Sequence, residues 1–277
     1  MDRYAVIGHP IGHSKSPLIH TLFARATGQA LEYSAIEAPL DGFAATLDAF
    51  RAAGGRGVNV TLPFKLEACA YADEVSERAR IAGAANALTF DGASCRADNF
   101  DGVGLVRDLT VNLGQPLAGQ RVLLLGAGGA ARGALQPLLQ AGPACLVVAN
   151  RDATKADDLV RTLAALGLGH GVLSACGYPV LAQHAPFDLI INATAASLHA
   201  EPLPLPAQVF GPHTLAYDMV YGKGLTPFLR QAQAAGVTRL ADGLGMLVEQ
   251  AAETFAWWRG VRPDTRPVIA QLSVPLT

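Results

Sequence analysis

A lysine directly after a predicted strand is the first residue of this sequence that could carry out chemistry. Val58, Val60 and Leu62 alternate with polar residues, as in a strand with one apolar face, and Pro63 favours the first turn of a following helix. Lys65 would lie in that turn, where the partly positive helix end disfavours a second positive charge. The position suits a lysine that exchanges protons, although an ordinary exposed lysine is also compatible with this stretch.

Two serines precede another predicted helix. Ser14 and Ser16 stand just before and beside Pro17, and the helix that follows should end at Gly28. Two hydroxyls at a helix end could bind a small anion such as a carboxylate. Ser16 could instead serve only as the helix N-cap.

An aspartate begins a further predicted helix. Asp101 is followed by a helical pattern to about Asn112, so it too could be only an N-cap. Between the lysine and this aspartate, we expect one helix from Lys65 to about Arg80 with a solvated charged face. A hairpin should then turn at Asp91 and Gly92.

A glycine-rich turn in the middle of the chain predicts dinucleotide binding. The apolar strand 121–125 is followed by Gly-Ala-Gly-Gly-Ala-Ala at 126–131, which opens a helix. Glycines at such a turn let the backbone approach a pyrophosphate at the helix N-terminus. At the end of the next strand Arg151 suits the 2′-phosphate of NADP, whereas the adjacent Asp152 is of the type that binds the ribose hydroxyls of NAD.

Strands and helices alternate along the chain, which predicts an α/β fold. Further buried strands are predicted at 187–191 and 215–220, and polar segments follow both. The carboxyl ends of such strands are where ligands bind in open α/β sheets. On the last long helix Met246 and Gln250 share a face, with Met246 expected in the core.

Bulk properties exclude several classes of protein. The chain of 277 residues allows one large domain or two modest ones, and a net charge of −2 does not favour a nucleic-acid or membrane-surface protein. Its four cysteines have no metal-binding spacing, so we expect free thiols in a reducing cytosol and no metal. No leader-like run and no apolar segment of bilayer length are recognised, which favours a cytoplasmic protein without a membrane partner.

Eight stretches of the sequence together resemble the shikimate dehydrogenase family. They occur in the family's order, cover nearly the whole chain, and are residues 8–17, 59–65, 83–86, 98–104, 126–131, 150–151, 217–221 and 241–246. The resemblance implies two α/β domains with the active site in the cleft between them. Residues 1–101, completed by the helices of 243–277, would bind substrate, and 102–242 would form a Rossmann-like NADP-binding domain.

The resemblance also implies an activity and a set of site residues. The activity is the reversible, NADP-dependent reduction of 3-dehydroshikimate to shikimate in aromatic amino-acid biosynthesis, by a monomer or homodimer. Lys65 and Asp101 would be catalytic. The implied substrate contacts are Ser14, Ser16, Asn59, Thr61, Lys65, Asn86, Asp101, Tyr221 and Gln250. The implied cofactor contacts are Gly126, Ala127, Gly128, Gly129, Ala130, Asn150, Arg151, Lys155, Thr194, Met219, Gly243 and Met246.

Three departures from the family pattern leave alternatives open. Phe100 stands where the family usually has a threonine beside the substrate, and Asp152 replaces a threonine that helps hold the 2′-phosphate. Residues 195–197 read Ala-Ala-Ser instead of Ser-Ser-Gly. The first two departures allow an NAD-preferring quinate/shikimate dehydrogenase. A nucleotide-sensing regulator without catalysis is a third possibility, against which the intact Lys65, Asn86 and Asp101 argue.

Overall fold

Two compact α/β units make up the computed structural model, which describes residues 1–199, 202–222 and 224–276. The first unit comprises Met1–Gly104 and Val248–Gln271. The second comprises Leu105–Leu247 and a C-terminal tail from Leu272. The assignment of 1–101 with 243–277 to substrate and of 102–242 to cofactor stays a prediction.

A mixed six-stranded sheet forms the centre of the first unit. Its strands are β1 (Asp2–Gly8), β2 (Leu31–Glu37), β3 (Gly55–Val60), β4 (Glu74–Val75), β5 (Ala87–Asp91) and β6 (Ser94–Asp98). The order across the sheet is β2-β1-β3-β5-β6-β4. β1 pairs in parallel with β2 and β3, whereas β5 runs antiparallel to both β3 and β6, as the predicted hairpin requires. The early helices of this unit are α1 (Ser16–Thr27), α2 (Phe43–Ala52), α3 (Lys65–Tyr71) and α4 (Glu77–Ala82).

The central strand β3 differs from its predicted pattern. Val58, Asn59 and Val60 are all buried, whereas Leu62 lies beyond the strand and is 69% exposed. The expectation of one polar and one apolar face is therefore wrong. The strand pairs on both sides, with β1 and β5, and both of its faces are covered, so even its polar residue must find hydrogen bonds inside the protein.

The charged segment after Lys65 is not one solvated helix. Phe64 N donates to Thr61 O at 3.1 Å, so Pro63 lies in a turn and the helix starts only at Lys65. The helix ends at Tyr71, and β4 and α4 follow as separate elements. Arg78 on α4 forms an ion pair with the buried Asp98 at 2.7 Å. The charge pattern did not reveal this ion pair, because Asp98 lies 20 residues from Arg78 along the chain.

A fully parallel sheet forms the centre of the second unit. Its strands are β7 (Arg121–Leu125), β8 (Cys145–Asn150), β9 (Leu173–Gly177), β10 (Phe187–Asn192), β11 (Phe210–Asp218) and β12 (Arg239–Asp242). The order is β12-β11-β10-β7-β8-β9, with every pair parallel. This is the strand order of the dinucleotide-binding Rossmann sheet. β9 and β12 have weak apolar patterns and were not predicted.

Helices α5 (Asp101–Arg107), α6 (Gly129–Gln140), α7 (Ala153–Ala165) and α8 (Pro227–Ala234) come next along the chain. The predicted helical extent from Asp101 to about Asn112 is confirmed, but the α-helical part ends at Arg107 and the last five residues, Asp108–Asn112, are π-helical. The Asp108 carboxylate accepts hydrogen bonds from Tyr217 Oη at 2.7 Å and Asn112 Nδ2 at 3.0 Å. These bonds account for a buried carboxylate inside the helix.

The final helices are α9 (Leu244–Arg259) and α10 (Arg266–Leu272). Val248, Ala251, Ala252 and Phe255 of α9 are fully buried. All four cysteines are free thiols. Among the helices of the described residues, none combines the length and hydropathy that a bilayer span requires.

A buried histidine gives the first unit a pH-sensitive point. The His20 ring stacks on Tyr33 with centroids 4.2 Å apart and lies 5.5 Å from Trp258. Neither ring nitrogen has a hydrogen-bond partner among the described residues. Burial lowers the pKa of His20 from 6.5 to about 3, because the charged imidazolium would lose its hydration.

We expect His20 to destabilise the fold as pH falls. Below about pH 6.5 the unfolded chain binds a proton at this residue, whereas the folded chain does not until about pH 3. Between pH 7 and 5 this difference should cost about 2 kcal/mol of the free energy of unfolding. Urea titrations should show a shallower pH dependence of the free energy of unfolding for His20→Phe than for wild type. Equal pH dependence in His20→Phe and wild type would contradict the assignment.

Candidate active site

Lys65 and Asp101 form a close ion pair in the first unit. They are the first residues of α3 and α5, and Lys65 Nζ donates to Asp101 Oδ2 at 2.6 Å. Their side chains are only 27% and 15% exposed. Lys65 is therefore not an ordinary exposed lysine. Asp101 is not a simple N-cap either, since its carboxylate accepts bonds from other side chains.

Asn86 links this pair to helix α9. Its Nδ2 donates to Asp101 Oδ1 at 2.7 Å and to Gln250 Oε1 at 3.1 Å, while its Oδ1 accepts from Phe100 N at 2.9 Å. Both carboxylate oxygens of Asp101 thus have a donor, one charged and one neutral. Because the Asn86 amide has donor and acceptor partners on opposite sides, its orientation is fixed.

Asn59 supports Asn86 from the buried face of β3. Its Nδ2 donates to Asn86 O at 3.2 Å and to Thr254 Oγ1 at 3.3 Å, and its Oδ1 accepts from Tyr33 Oη at 2.8 Å. The amide is thus engaged within the protein, and a direct substrate contact stays a prediction. Tyr33 and Thr254 were missed, because nothing in their local sequence indicates a long-range bond.

The serines at α1 are arranged differently from the capping interpretation. The helix begins at Ser16, which makes Lys15 the capping position, and Lys15 makes no side-chain cap bond. Ser16 N instead donates to Ser14 Oγ at 3.3 Å. Ser16 as the N-cap is therefore wrong, and the hydroxyl of Ser14 partly takes that place. Thr61, half-buried beyond β3, is held by a bond from its N to Ile7 O at 3.0 Å.

In the second unit the glycine turn follows β7 directly. Gly126 has φ 106°, and a Cβ there would approach Thr194 Cγ2 to 3.0 Å, so glycine is required. Nothing lies within 4 Å of a Cβ at Gly128 or Gly129. The turn therefore leaves open space over the start of α6, next to Ala130, and no side chain caps the helix at Gly128. Such a helix end suits a pyrophosphate.

A cleft of about 340 Å³ lies beside this turn. Arg151 and Lys155 are exposed cations on its wall, as expected for a site that takes a 2′-phosphate. Its lining residues are Ala127, Gly128, Asn150, Arg151, Asp152 and Lys155. Five of the twelve predicted cofactor contacts thus line this cleft at the end of β8.

Asp152 has a structural role that the sequence did not reveal. It is the N-cap of α7, with its Oδ1 accepting from Thr154 N at 3.1 Å. Asn150 Nδ2 donates to the Asp152 carbonyl at 2.9 Å. The Asp152 carboxylate is therefore hydrogen-bonded at the positive end of α7, so it is less available to accept a hydrogen bond from a ribose hydroxyl.

Buried polar groups hold Thr194 at the end of β10. Asn192 Oδ1 accepts from Thr194 N at 3.0 Å and from Thr194 Oγ1 at 2.7 Å, and Asn192 Nδ2 donates to Asp218 Oδ1 at 3.1 Å. Burial raises the pKa of Asp218, opposed by bonds from Ser197 and Thr226. Ser197, within the Ala-Ala-Ser departure, thus helps hold this network.

The remaining predicted contacts lie beyond β11 and at the start of α9. A Cβ at Gly243 would meet Met219 O at 2.2 Å, so a glycine is needed where the two backbones meet. Met246 is half-buried, and its expected place in the core is wrong. Tyr221 is also half-buried, and burial, with a smaller effect of the Asp242 charge, raises the pKa of its hydroxyl. Among the described residues, no cluster of His, Cys, Asp or Glu is placed to hold a metal.

Family models match the chain in three segments. Residues 6–88 match the shikimate dehydrogenase substrate binding domain. Residues 108–200 match the shikimate/quinate 5-dehydrogenase model. Residues 243–272 match the shikimate 5′-dehydrogenase C-terminal domain.

Known proteins resemble the chain over nearly its whole length. It is 58% identical to the shikimate dehydrogenase (NADP(+)) of Nitrosospira multiformis over 271 residues, which are 98% of this chain and 97% of the relative. The crystal structure of an Ael1 enzyme from Pseudomonas putida is 59% identical, with a TM-score of 0.95 over 100% of both chains. Shikimate 5-dehydrogenase from Thermus thermophilus, in complex with NADP(H) and shikimate, is 35% identical with a TM-score of 0.85 over 98% of each chain.

We expect the Asp152 cap to stabilise the second unit. Asp152→Ala should lower the free energy of unfolding by about 1 kcal/mol, whereas Asp152→Thr should retain most of it, since threonine is also a good cap. Urea unfolding measures both variants. Asp157→Ala, an exposed residue on the same helix, is the matched control. Equal stability of Asp152→Ala and wild type would mean that the cap contributes nothing.

Proposed function

The chain belongs to the shikimate dehydrogenase family, and we propose a division of its chemistry among the residues described above. The protein is an NADP-dependent oxidoreductase that reversibly reduces 3-dehydroshikimate to shikimate, a step of aromatic amino-acid biosynthesis. The main support for the proposed residue roles is the Lys65–Asp101 ion pair, which places a mostly buried proton donor beside a fixed carboxylate.

Lys65 is the proposed proton donor and acceptor. When bound, NADP supplies the nicotinamide that accepts or returns the hydride. When shikimate is oxidised, Lys65 Nζ in its neutral amine form accepts the proton of the reacting hydroxyl and becomes an ammonium. In the biosynthetic direction the same group returns it to the ketone oxygen. Asp101 orients the Lys65 nitrogen through Oδ2 and is a proposed contact of the substrate, and Asn86 Nδ2 holds Asp101 Oδ1 in place at 2.7 Å.

The proposed substrate contacts match the carboxylate and the hydroxyls of shikimate. Ser14 and Ser16 are the proposed donors to the ring carboxylate, supported by the hydrogen bond that holds them together at the start of α1. The proposed contacts to the ring hydroxyls are Asn59, Thr61, Asn86 and Gln250. Tyr221 is a further proposed contact, whose raised hydroxyl pKa keeps it a donor at neutral pH.

The second unit is the proposed NADP-binding domain. The turn at Gly126, Ala127, Gly128, Gly129 and Ala130 suits the pyrophosphate, and Arg151 and Lys155 suit the 2′-phosphate. Asn150 shapes the same cleft. The groups assigned to the ribose and nicotinamide are Thr194, Met219, Gly243 and Met246. A monomeric or homodimeric state and a cytoplasmic location stay predictions.

An NAD-preferring quinate/shikimate dehydrogenase has less support. Asp152 and Phe100 were the residues that allowed it. The Asp152 carboxylate caps α7, and the Phe100 side chain is buried. Relatives that cover 98% of the chain are named as NADP(+) enzymes.

We predict that Lys65→Ala will lose turnover without losing substrate affinity. Removing a general acid/base should lower kcat about 10²–10⁴-fold, while KM for shikimate should change much less. Asp101→Asn keeps a side chain of the same shape, and its kcat should also fall substantially because the negative charge is lost. Initial rates with NADP test both variants, with Glu67→Ala, an exposed neighbour on α3, as control. Near-normal kcat in folded Lys65→Ala protein would overturn the proposed mechanism.

Arg151 should determine the preference for NADP. Because its guanidinium can bind the 2′-phosphate in a fork, Arg151→Ala should raise KM for NADP by at least about tenfold and that for NAD little. Asp152→Thr should widen the NADP preference, since it removes a negative charge from the cleft but keeps a capping hydroxyl. A wild type that already prefers NAD would refute the assignment, and an unchanged preference in Asp152→Thr would show that the carboxylate is turned away from the cofactor.

A further inference from the structure

Side chains bind the backbone amides of the short segment that ends in Asp101. Strand β6 ends at Asp98 and α5 begins at Asp101. The amide of Asn99 donates to Asp98 Oδ1 at 2.7 Å, that of Phe100 to Asn86 Oδ1 at 2.9 Å, and that of Asp101 to Asn99 Oδ1 at 3.1 Å. The direction of the Asp101 carboxylate therefore depends on these side chains.

Arg78 fixes the first of those side chains. Its Nε and Nη2 donate to Asp98 Oδ1 and Oδ2, both at 2.7 Å, in a planar fork. Ser76 Oγ donates to the same carboxylate at 2.5 Å. The Asp98 side chain is 9% exposed and that of Arg78 36%. A buried carboxylate with this many donors has one orientation, so it can hold the Asn99 amide in place.

The same arginine also contacts Phe100. The Arg78 guanidinium carbon lies 4.6 Å from the centroid of the Phe100 ring, which is cation–π distance. Trp257 approaches the ring edge-to-face, with centroids 5.6 Å apart. Phe100 is only 4% exposed. The departure from the family's threonine thus buries an aromatic ring between the Arg78 guanidinium and Trp257.

We propose that Arg78 and Phe100 are positioning residues for Asp101. Arg78, Asp98, Phe100 and Trp257, here called the Arg78 clamp, hold both sides of Asn99. The segment can then present Asp101 to Lys65 and Asn86 in one orientation only. A displacement of about 1 Å at a catalytic group is enough to slow a reaction about 10²-fold. The proposal rests on the catalytic roles assigned to Lys65 and Asp101.

A double-mutant cycle with Asp101 tests the clamp. Phe100→Leu and Arg78→Gln should each lower kcat about tenfold and leave KM for shikimate within about twofold, since they misplace a group used in the reaction step. In an Asp101→Asn background the same substitutions should lower kcat less than about twofold, because the group they position is already lost. Arg80→Gln is the control, since Arg80 is exposed on the same helix and donates to Val75 O.

The outcomes separate this proposal from the proposed function. Additive effects on kcat in the cycle, or a lower melting temperature with unchanged kcat, would overturn the clamp. A changed ratio of shikimate to quinate kcat/KM in Phe100→Leu would also overturn it, by placing the ring at the substrate. Should Arg78→Gln not fold, Phe100→Leu carries the test, since it keeps an apolar side chain in place. Loss of turnover in Lys65→Ala together with an additive cycle would leave the proposed function intact.

Discussion

The ion pair between Lys65 and Asp101 removes two charges from most of the surrounding water, and the first unit must offset that desolvation. The carboxylate does so by accepting from Lys65 Nζ at 2.6 Å and from Asn86 Nδ2 at 2.7 Å. Asn86 is in turn held by Phe100 N, Gln250 and Asn59. The pair is thus fixed by residues from β3, α9 and the segment before α5, which explains why it needs a complete folded unit.

The second unit has a different requirement, because its polar groups must remain open to a ligand. A parallel sheet places the ends of β7, β8 and β10 at one edge. Gly126 keeps the turn after β7 tight against Thr194, and the space over Gly128 and Gly129 stays open. Exposed cations at Arg151 and Lys155 add the charge that a 2′-phosphate needs.

Local pattern was enough to predict the strands at 121–125 and 187–191, the hairpin at Asp91 and Gly92, and the glycine turn. These features depend on neighbours in the sequence. The failures share a different cause. Each of them depends on contacts between residues that are distant in the chain. Examples are the buried polar face of β3, the fork of Arg78 on Asp98, and the Tyr33 bond to Asn59. Periodicity and capping rules contain no information about such partners.

Chemical rescue of Lys65→Ala by small primary amines tests the central claim most directly. The lysine side chain is 27% exposed, so its removal should leave a space that methylamine or ethylamine can enter. If Lys65 Nζ transfers the proton, added amine should raise kcat of the variant, with a rate that depends on the pKa of the amine. No increase in kcat by either amine, in folded variant that binds shikimate normally, would contradict the claim.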